Sequence, residues 1–241
     1  MKAIKFIAAG VGPGDPDLIT IRALKAIERA DLVFVPVAAE GRSSVAESVI
    51  RAHLSVKTIS IIFPMTQDES ARDSVLLEQL EALRHKWERA ESTVLPVIGD
   101  SCLYATAAYF YGVWRELDPS IELELIPGVS AHSLAGARVG RFLALGEDIF
   151  SVIPGTANAL TISSALKSCS AAALYKPSAL REQLRPVVES AGPWAEILRV
   201  DRAGLPDERI VEGLPALAPT DEYLSTLLLW RIPGFFRSGN V

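Results

Sequence analysis

The sequence predicts an α/β fold in two domains, and the alternation of its segments is the main reason. Short apolar segments of strand length recur along the chain, and stretches with helical periodicity separate them. This alternation favours a parallel sheet covered by helices on both faces, the doubly wound arrangement. The spacing becomes less regular after Pro127-Gly128. We therefore expect a doubly wound domain over residues 1–127 and a second α/β domain with a mixed sheet over residues 128–241.

Five strands are predicted in the N-terminal domain, over residues 4–11, 31–37, 58–62, 93–98 and 121–126. Helices are predicted between them, over residues 18–30 and 68–88. The first helix carries an apolar residue at every third position, namely Leu18, Ile21, Leu24 and Ile27. The second carries an apolar stripe of leucines, namely Leu76, Leu77, Leu80 and Leu83. Each pattern predicts a helix that buries one face.

The C-terminal domain is expected to begin with a helix over residues 130–139. Four strands are predicted after it, over residues 149–153, 171–175, 194–200 and 223–230. The Pro127-Gly128 pair before this region is a reasonable hinge, because proline fixes one φ angle and glycine frees the next.

Composition excludes several classes of protein. The chain has 241 residues, of which 49% are hydrophobic and 22% charged, which is a globular balance. Its net charge of -5 disfavours a nucleic-acid partner. Cys102 and Cys169 have no neighbour at ligand spacing, so neither a zinc site nor a disulfide framework is expected. No apolar run reaches the roughly 20 residues of a membrane helix. A cytoplasmic location is therefore the default expectation.

The segment from Gly10 to Pro16 is the sharpest local feature, because glycine and proline fill five of its seven positions. Its place between a strand and a helix suggests a phosphate loop. However, Asp15 stands where a dinucleotide fingerprint requires its third glycine, and Pro13 lacks the backbone donor that a phosphate would use. We interpret the segment as the rim of a ligand site. The alternative is a tight turn in which Asp15 caps the following helix.

A second glycine-containing junction follows the predicted strand 93–98. Gly99 lets a ligand approach the backbone, and the carboxylate of Asp100 can accept hydrogen bonds from ribose hydroxyls or an amino group. Ligands of doubly wound sheets bind outside the carboxyl ends of the strands, where this junction is expected. Alternatively, Asp100 or Ser101 is only the N-cap of a helix over residues 103–115.

A third junction runs from Ile126 to Ser133 and contains His132. With no paired acid nearby in sequence, His132 is expected to be structural. The chain has no Gly-x-Ser-x-Gly elbow, no Cys-His pair close in sequence and no acidic or histidine cluster at metal-ligand spacing. Several glycine-rich junctions at one sheet edge therefore predict a site for a flat or nucleoside-like molecule, with few charged catalytic groups.

Taken together, these motifs resemble those of the tetrapyrrole (corrin/porphyrin) methylase family over nearly the whole chain. The resemblance rests on five segments in order, namely residues 11–20, Gly99-Asp100 with Leu103-Tyr104, residues 127–131, residues 202–210 and residues 223–227. Within the family, Ile153-Pro154-Gly155-Thr156 and residues 202–209 look most like the precorrin-2 or cobalt-factor II C20-methyltransferases. Ser101 departs from the pattern, since many members have proline there.

The resemblance implies a methyltransferase that binds S-adenosylmethionine in a cleft between its two domains and methylates carbon C20 of a reduced tetrapyrrole. By motif position, it assigns the cofactor to Pro13, Gly99, Asp100, Leu103, Ser130, Ala131, Tyr175, Lys176, Ala203 and Thr226. It places the substrate near Asp15 and Tyr104, implies a homodimer, and assigns neither a catalytic residue nor a metal. The candidates for binding the substrate's carboxylates are Arg22, Arg42, Arg138 and Arg141.

Two alternatives remain open at this point. A protein of the same fold can methylate ribosomal RNA or a modified protein residue, as other members of the superfamily do. A protein that keeps the fold can also be a binding module without enzymatic activity, although intact glycine-rich junctions argue against a decayed site.

Overall fold

The computed structural model describes residues 3–64, 66 and 68–234. Its internal contacts divide the chain after Ser130 into two compact units, residues 1–130 and 131–241. Each unit is built around its own five-stranded sheet, so the predicted α/β class is confirmed. The domain boundary expected between residues 127 and 128 stays a prediction.

The first unit contains a wholly parallel sheet with the strand order β3-β2-β4-β1-β5. Its strands are β1 (Lys5–Gly10), β2 (Leu32–Val37), β3 (Thr58–Ile62), β4 (Ser92–Val97) and β5 (Glu122–Ile126). Its helices are α1 (Ile21–Arg29), α2 (Val45–Arg51), α3 (Glu69–Ala82), α4 (Arg84–Trp87) and α5 (Ala107–Leu117). Apolar residues of α3, α4 and α5 form a core on one face of the sheet, and those of α1 and α2 form a core on the other.

Helix α1 buries only part of the apolar stripe that the sequence predicted, because Ile27 is buried and Leu24 is half-buried but Ile21 is not. Ala23 and Ile27 are fully buried, whereas Ile21 is 70% exposed. The physical reason is that a three-residue step turns the helix through only about 300°, so residues at every third position drift around the axis. The four-residue step from Ala23 to Ile27 keeps the buried pair on one side. In α3, Leu76 and Leu80 are likewise buried at this spacing, and Leu77 is partly exposed.

The second unit contains a mixed sheet with the order β6-β7-β10-β8-β9, in which only the β6–β7 pair is parallel. Its strands are β6 (Phe150–Pro154), β7 (Ala171–Tyr175), β8 (Glu196–Asp201), β9 (Arg209–Glu212) and β10 (Ser225–Trp230). Its helices are α6 (Ala131–Arg138), α7 (Ala159–Lys167) and α8 (Leu184–Ser190). Helices α7 and α8 supply the core on one sheet face. No helix in the described part of the chain is long and apolar enough to cross a membrane.

An aromatic cluster fills the core beneath α5. The ring of Phe110, fully buried, lies 5.6 Å from that of Phe34 and 5.5 Å from that of Trp114, both near edge-to-face. Trp114 in turn meets Trp87 at 5.5 Å. Such contacts add to the free energy gained from burying the rings, so they anchor α5 to the sheet.

We predict that Phe110→Ala lowers the free energy of unfolding by about 3–5 kcal/mol, because it leaves a cavity and removes these ring contacts. The measurement is urea unfolding followed by circular dichroism. Tyr109→Ala, one position away on the same helix, is the control. Tyr109 is 46% exposed and touches the Arg72 guanidinium at 3.8 Å, so its loss should cost only about 0.5–1 kcal/mol. Equal losses for the two variants would contradict the prediction.

Candidate functional site

Three loops meet at the carboxyl edge of the first sheet. Strand β1 lies between β4 and β5, and all three run parallel, so their carboxyl ends point to the same edge. The loops that follow them span residues 11–16, 98–104 and 127–130. They contain every predicted site residue of this unit, namely Pro13, Asp15, Gly99, Asp100, Leu103, Tyr104 and Ser130.

Glycine is required where these loops touch. A Cβ atom on Gly10 would lie 2.6 Å from the amide nitrogen of Gly128 and 2.7 Å from the carbonyl oxygen of Gly99. Gly12 and Gly99 also exchange two backbone hydrogen bonds, of 3.2 and 2.8 Å. The φ angles of these two residues are 80° and 77°, in the left-handed region that favours glycine. The three loops are therefore packed backbone against backbone.

The Asp100 carboxylate is held within its loop. Its Oδ1 atom accepts hydrogen bonds from the backbone N–H of Cys102 at 3.0 Å and of Gly128 at 3.4 Å. The alternative that Asp100 or Ser101 caps a helix beginning near residue 103 is wrong, because α5 begins at Ala107 with Thr106 at its N-cap position. The first of these hydrogen bonds instead closes a local turn, and the second links this turn to the loop after β5.

Ser101 makes a second link between the same two loops. Its side chain is buried, and its hydroxyl donates to the carbonyl oxygen of Ile126, the last residue of β5, at 2.8 Å. Proline at this position has no such donor. The departure from the family pattern therefore adds a hydrogen bond that ties the Asp100 loop to the neighbouring strand.

Asp15 and Tyr104, the predicted substrate residues, lie in the first and second loops. Asp15 occupies the N-cap of a short 3₁₀ turn, Pro16–Leu18, and its carboxylate accepts from the backbone N–H of Asp17 at 3.1 Å. Capping, which was the alternative for Asp15, is therefore present in the structure. Tyr104 has a left-handed backbone with φ of 52° and is 47% exposed. Partial burial raises the pKa of its hydroxyl.

In the second unit, the predicted site residues lie at one end of the mixed sheet, where β7 and β8 end and β10 begins. We call this end the site edge of the second sheet. Tyr175 ends β7 and pairs in register with Thr226 near the start of the antiparallel strand β10. Strand β8 flanks β10 on the other side and ends at Asp201, two residues before Ala203. Lys176 has a left-handed backbone, with φ of 52°, and its N–H donates to the Ser225 carbonyl at 3.2 Å.

Two residues that the sequence did not assign to the site also contact this edge. The N–H of Gly155 donates to the Tyr175 carbonyl at 2.7 Å, and a Cβ atom on Gly155 would lie 2.5 Å from the carbonyl oxygen of Lys176. His132, next to Ala131 in α6, lies within hydrogen-bond distance of the Tyr175 hydroxyl. The glycine was visible as part of the Ile153–Thr156 motif, but no sequence pattern relates His132 to Tyr175.

A buried ionic group supports the same edge. The carboxylate of Asp201 is fully buried and lies 3.1 Å from Nε of Arg199 and 3.0 Å from Nη2 of Arg209. It also accepts a 2.7 Å hydrogen bond from the Ser225 hydroxyl. Because Asp201 ends β8 and Ser225 begins β10, their hydrogen bond joins the two strand ends. Removing one partner of the buried ion pair would leave an uncompensated charge, so the group is sensitive to substitution.

Three of the four arginines considered for the substrate's carboxylates already pair with a glutamate. Arg22 contacts Glu124 at 2.6 Å, Arg138 contacts Glu208 at 3.1 Å, and Arg141 forms a largely buried pair with Glu196. Arg141 also borders a cavity of about 430 Å³ that is lined by Ala171, Glu196 and Trp230 among others. These strand residues lie at the opposite end of the second sheet from Tyr175 and Thr226, so the cavity is separate from the predicted cofactor residues of this unit.

The comparisons with known proteins agree on one family. The family model described as Tetrapyrrole (Corrin/Porphyrin) Methylases matches residues 5–217. A probable cobalt-precorrin-2 C(20)-methyltransferase of Methanocaldococcus jannaschii is 29% identical over 243 residues, which is 97% of this chain and 97% of the relative. A cobalt-precorrin-2 C(20)-methyltransferase of Salmonella typhimurium is 28% identical over 207 residues, which is 85% of this chain and 86% of the relative.

Solved structures share the fold. Uroporphyrin-III C-methyl transferase from Thermus thermophilus, complexed with S-adenyl homocysteine, superposes with a TM-score of 0.68 at 18% identity, over 94% of this chain and 97% of that one. The methyltransferase CobJ gives a TM-score of 0.66 at 19% identity, over 95% and 94%.

We predict that Gly128→Ala destabilises the first unit by about 1–3 kcal/mol, the usual cost of overpacking. The new Cβ atom would lie 2.8 Å from the carbonyl carbon of Gly10, so two backbones must separate. Gly112→Ala, in α5, is the control, since no atom lies within 4 Å of its Cβ position. Alanine should stabilise that helix by about 0.5–1 kcal/mol. Thermal unfolding measures both, and an unchanged midpoint for Gly128→Ala would refute the close approach.

A second prediction concerns the link made by Ser101. Ser101→Ala removes the donor and leaves the Ile126 carbonyl without it, which should cost about 1–3 kcal/mol in the free energy of unfolding. Ser43→Ala, at an exposed position of the same unit, should change it by less than about 0.5 kcal/mol. Urea denaturation of both variants measures the difference, and indistinguishable midpoints would count against the hydrogen bond.

Proposed function

Because the chain belongs to the tetrapyrrole methylase family, we propose that it transfers a methyl group from S-adenosylmethionine to carbon C20 of precorrin-2 or cobalt-factor II in cobalamin biosynthesis. The match of the family model to residues 5–217 confirms the predicted family and the methyltransferase class. The substrate is proposed from relatives that carry this activity in their names and align over nearly the whole chain.

The observation that best supports the proposal is the backbone packing of the three loops at the carboxyl edge of the first sheet. These loops hold the Asp100 carboxylate in place and leave open space above Gly99, where no atom lies within 4 Å of a Cβ position. An open glycine beside a fixed carboxylate fits a nucleoside-like group, which needs close approach to the backbone and an acceptor for its hydroxyl or amino hydrogens. The residues present therefore fit S-adenosylmethionine.

The proposed cofactor residues have different parts in each unit. In the first, they supply loop backbone, one carboxylate and uncharged side chains, and they are Pro13, Gly99, Asp100, Leu103 and Ser130. In the second, Ala131, Tyr175, Lys176, Ala203 and Thr226 lie at a sheet edge that hydrogen bonds and a buried ion pair hold rigid. Rigid first contacts suit a reaction in which orientation matters more than a reactive side chain.

S-adenosylmethionine supplies, when bound, a methyl group that its sulfonium charge has already activated. The chain's own part is therefore to bind, to align the two reactants and to keep them in place. Such alignment can supply on the order of 7–11 kcal/mol of barrier lowering. This explains why a site of glycines, prolines and backbone groups suffices. Asp15 and Tyr104, on the same loops, are the residues we propose to border the tetrapyrrole.

The first experiment is titration calorimetry of the chain with S-adenosylhomocysteine, for which we expect a Kd on the order of micromolar. Thr226→Val removes one buried hydroxyl from the proposed site at nearly constant shape. The loss of one hydrogen bond of about 0.5–1.5 kcal/mol should weaken binding about 3- to 10-fold. Thr161→Val, at an exposed position of α7, is the matched control and should bind as the wild type does.

The acceptor is then identified with S-adenosylmethionine carrying a labelled methyl group. We expect label in precorrin-2 or in its cobalt complex, and the faster substrate shows which of the two is used. Label in ribosomal RNA or in a protein instead would favour the alternative substrates of the fold. Binding of S-adenosylhomocysteine with no transfer to either tetrapyrrole would overturn the proposed substrate, and no binding at all would favour a binding module.

We also propose a homodimer, which rests on the family resemblance, and a cytoplasmic location. Light scattering at micromolar protein concentration tests the first, and a monomer would remove it.

A further inference from the structure

We infer that His132 is a positioning residue, which through the hydroxyl of Tyr175 holds the N-terminus of α6 against the end of β7. This inference rests on the proposed function, because Ala131 and Lys176, the neighbours of the pair, are among the proposed cofactor residues. Nothing in the sequence motifs or in the comparisons assigns a role to His132.

Two hydrogen bonds join the pair. The backbone N–H of His132 donates to the Tyr175 hydroxyl oxygen at 3.3 Å, and Nδ1 of the same residue lies 2.8 Å from that oxygen. A backbone N–H can only donate, so the phenolic oxygen accepts there. At Nδ1 the tautomer of the ring decides which group donates, because the hydroxyl can donate one hydrogen bond and accept two. The Tyr175 hydroxyl is thus bonded by both the backbone and the ring of one residue.

The first of these bonds has a structural purpose. His132 is the second residue of α6, and the N–H groups of the first helical turn have no partner within the helix. Tyr175 provides an acceptor for one of them. The direction of the Tyr175 side chain allows this, because its strand neighbours Ala172 and Leu174 belong to the core under α7 and α8, so Tyr175 faces the other side of the sheet.

The second bond fixes which way the histidine ring faces. The ring centroid of His132 lies 5.5 Å from that of Phe150 and 5.9 Å from that of Tyr175. Both side chains are half-buried, so the ring is held between two aromatic groups of adjacent strands. A hydrogen bond to a ring that is fixed in this way restricts the orientation of the Tyr175 side chain more than a hydrogen bond to water would.

It follows that the Tyr175 hydroxyl does not need to touch the cofactor in order to matter for binding. The pair sets the distance between Ala131 at the start of α6 and the Tyr175-Lys176 backbone at the end of β7. In that same backbone segment, Lys176 has a left-handed conformation and donates a hydrogen bond to the Ser225 carbonyl. Cofactor binding should therefore depend on His132 and Tyr175 as one unit.

The test is a double-mutant cycle on the affinity for S-adenosylhomocysteine, with His132→Ala, Tyr175→Phe and the double variant. We expect each single variant to bind about 5- to 20-fold more weakly, and the double variant to lose no more than about 2-fold beyond the weaker single one. His132→Asn should bind within about 3-fold of the wild type, because a side-chain amide can either accept or donate at the place of Nδ1. His85→Ala, at an exposed position of α4, is the control.

Four outcomes would overturn the inference. Losses that multiply in the double variant would mean that the two residues act independently. Wild-type affinity in both single variants would remove the positioning role and leave the proposed function intact, whereas a wild-type chain that binds no S-adenosylhomocysteine would overturn both. Weak binding by His132→Asn at an unchanged thermal midpoint would also overturn it, because the hydrogen bond at Nδ1 would then not be what His132 contributes.

A turnover measurement separates positioning from a general loss of structure. In His132→Ala, the KM for S-adenosylmethionine should rise about 5- to 20-fold while kcat at saturation stays within about 2-fold of the wild type, because uniform binding is lost. A fall in kcat at unchanged KM would overturn positioning as the role of His132.

Discussion

The close approach of three peptide backbones at Gly10, Gly99 and Gly128 is the constraint on which the candidate site of the first unit depends. No side chain larger than hydrogen fits at Gly10 or Gly128, because the Gly99 carbonyl oxygen lies against both. The parallel order β4-β1-β5 brings the three glycines to the same edge. Once they touch, the loops have little freedom left, and the positions of the Asp100 carboxylate and the Ser101 hydroxyl follow from them.

In the second unit, side-chain contacts rather than glycine contacts hold the candidate site residues in place. Its sheet is mixed, and its loops are joined by side chains as well as by backbone. The buried carboxylate of Asp201 binds two arginines and a serine, and the Tyr175 hydroxyl joins a strand to a helix. Buried polar networks of this kind specify one geometry at the cost of tolerance to substitution, because the loss of one partner leaves the others uncompensated. The candidate site of the first unit depends on glycines, which have no side chain, and that of the second unit depends on paired polar side chains.

The sequence predicts the fold class and the five strands of the first unit because buried parallel strands are continuous apolar runs with glycine at their ends. It does not predict β9, which has only four residues and a charged residue at each end. It also misses the start of α5, since Asp100 and Ser101 resemble N-cap residues although their side chains bind a turn and a strand. The order of strands decides which loops meet, and no local pattern contains that order. For the same reason His132 could not be paired with Tyr175 before the structure was known.

A site made in this way fits a sequence that contains no Gly-x-Ser-x-Gly elbow and no Cys-His pair close in sequence. Methyl transfer from a sulfonium needs alignment and protection more than it needs a reactive group, and alignment is what fixed backbones provide. The Ser101 hydrogen bond also restrains the backbone, because its buried link to β5 restricts a loop that proline would otherwise restrict. Differences in specificity between members of such a family should then arise in residues of the kind we propose to border the substrate, such as Asp15 and Tyr104, while the glycine contact stays the same.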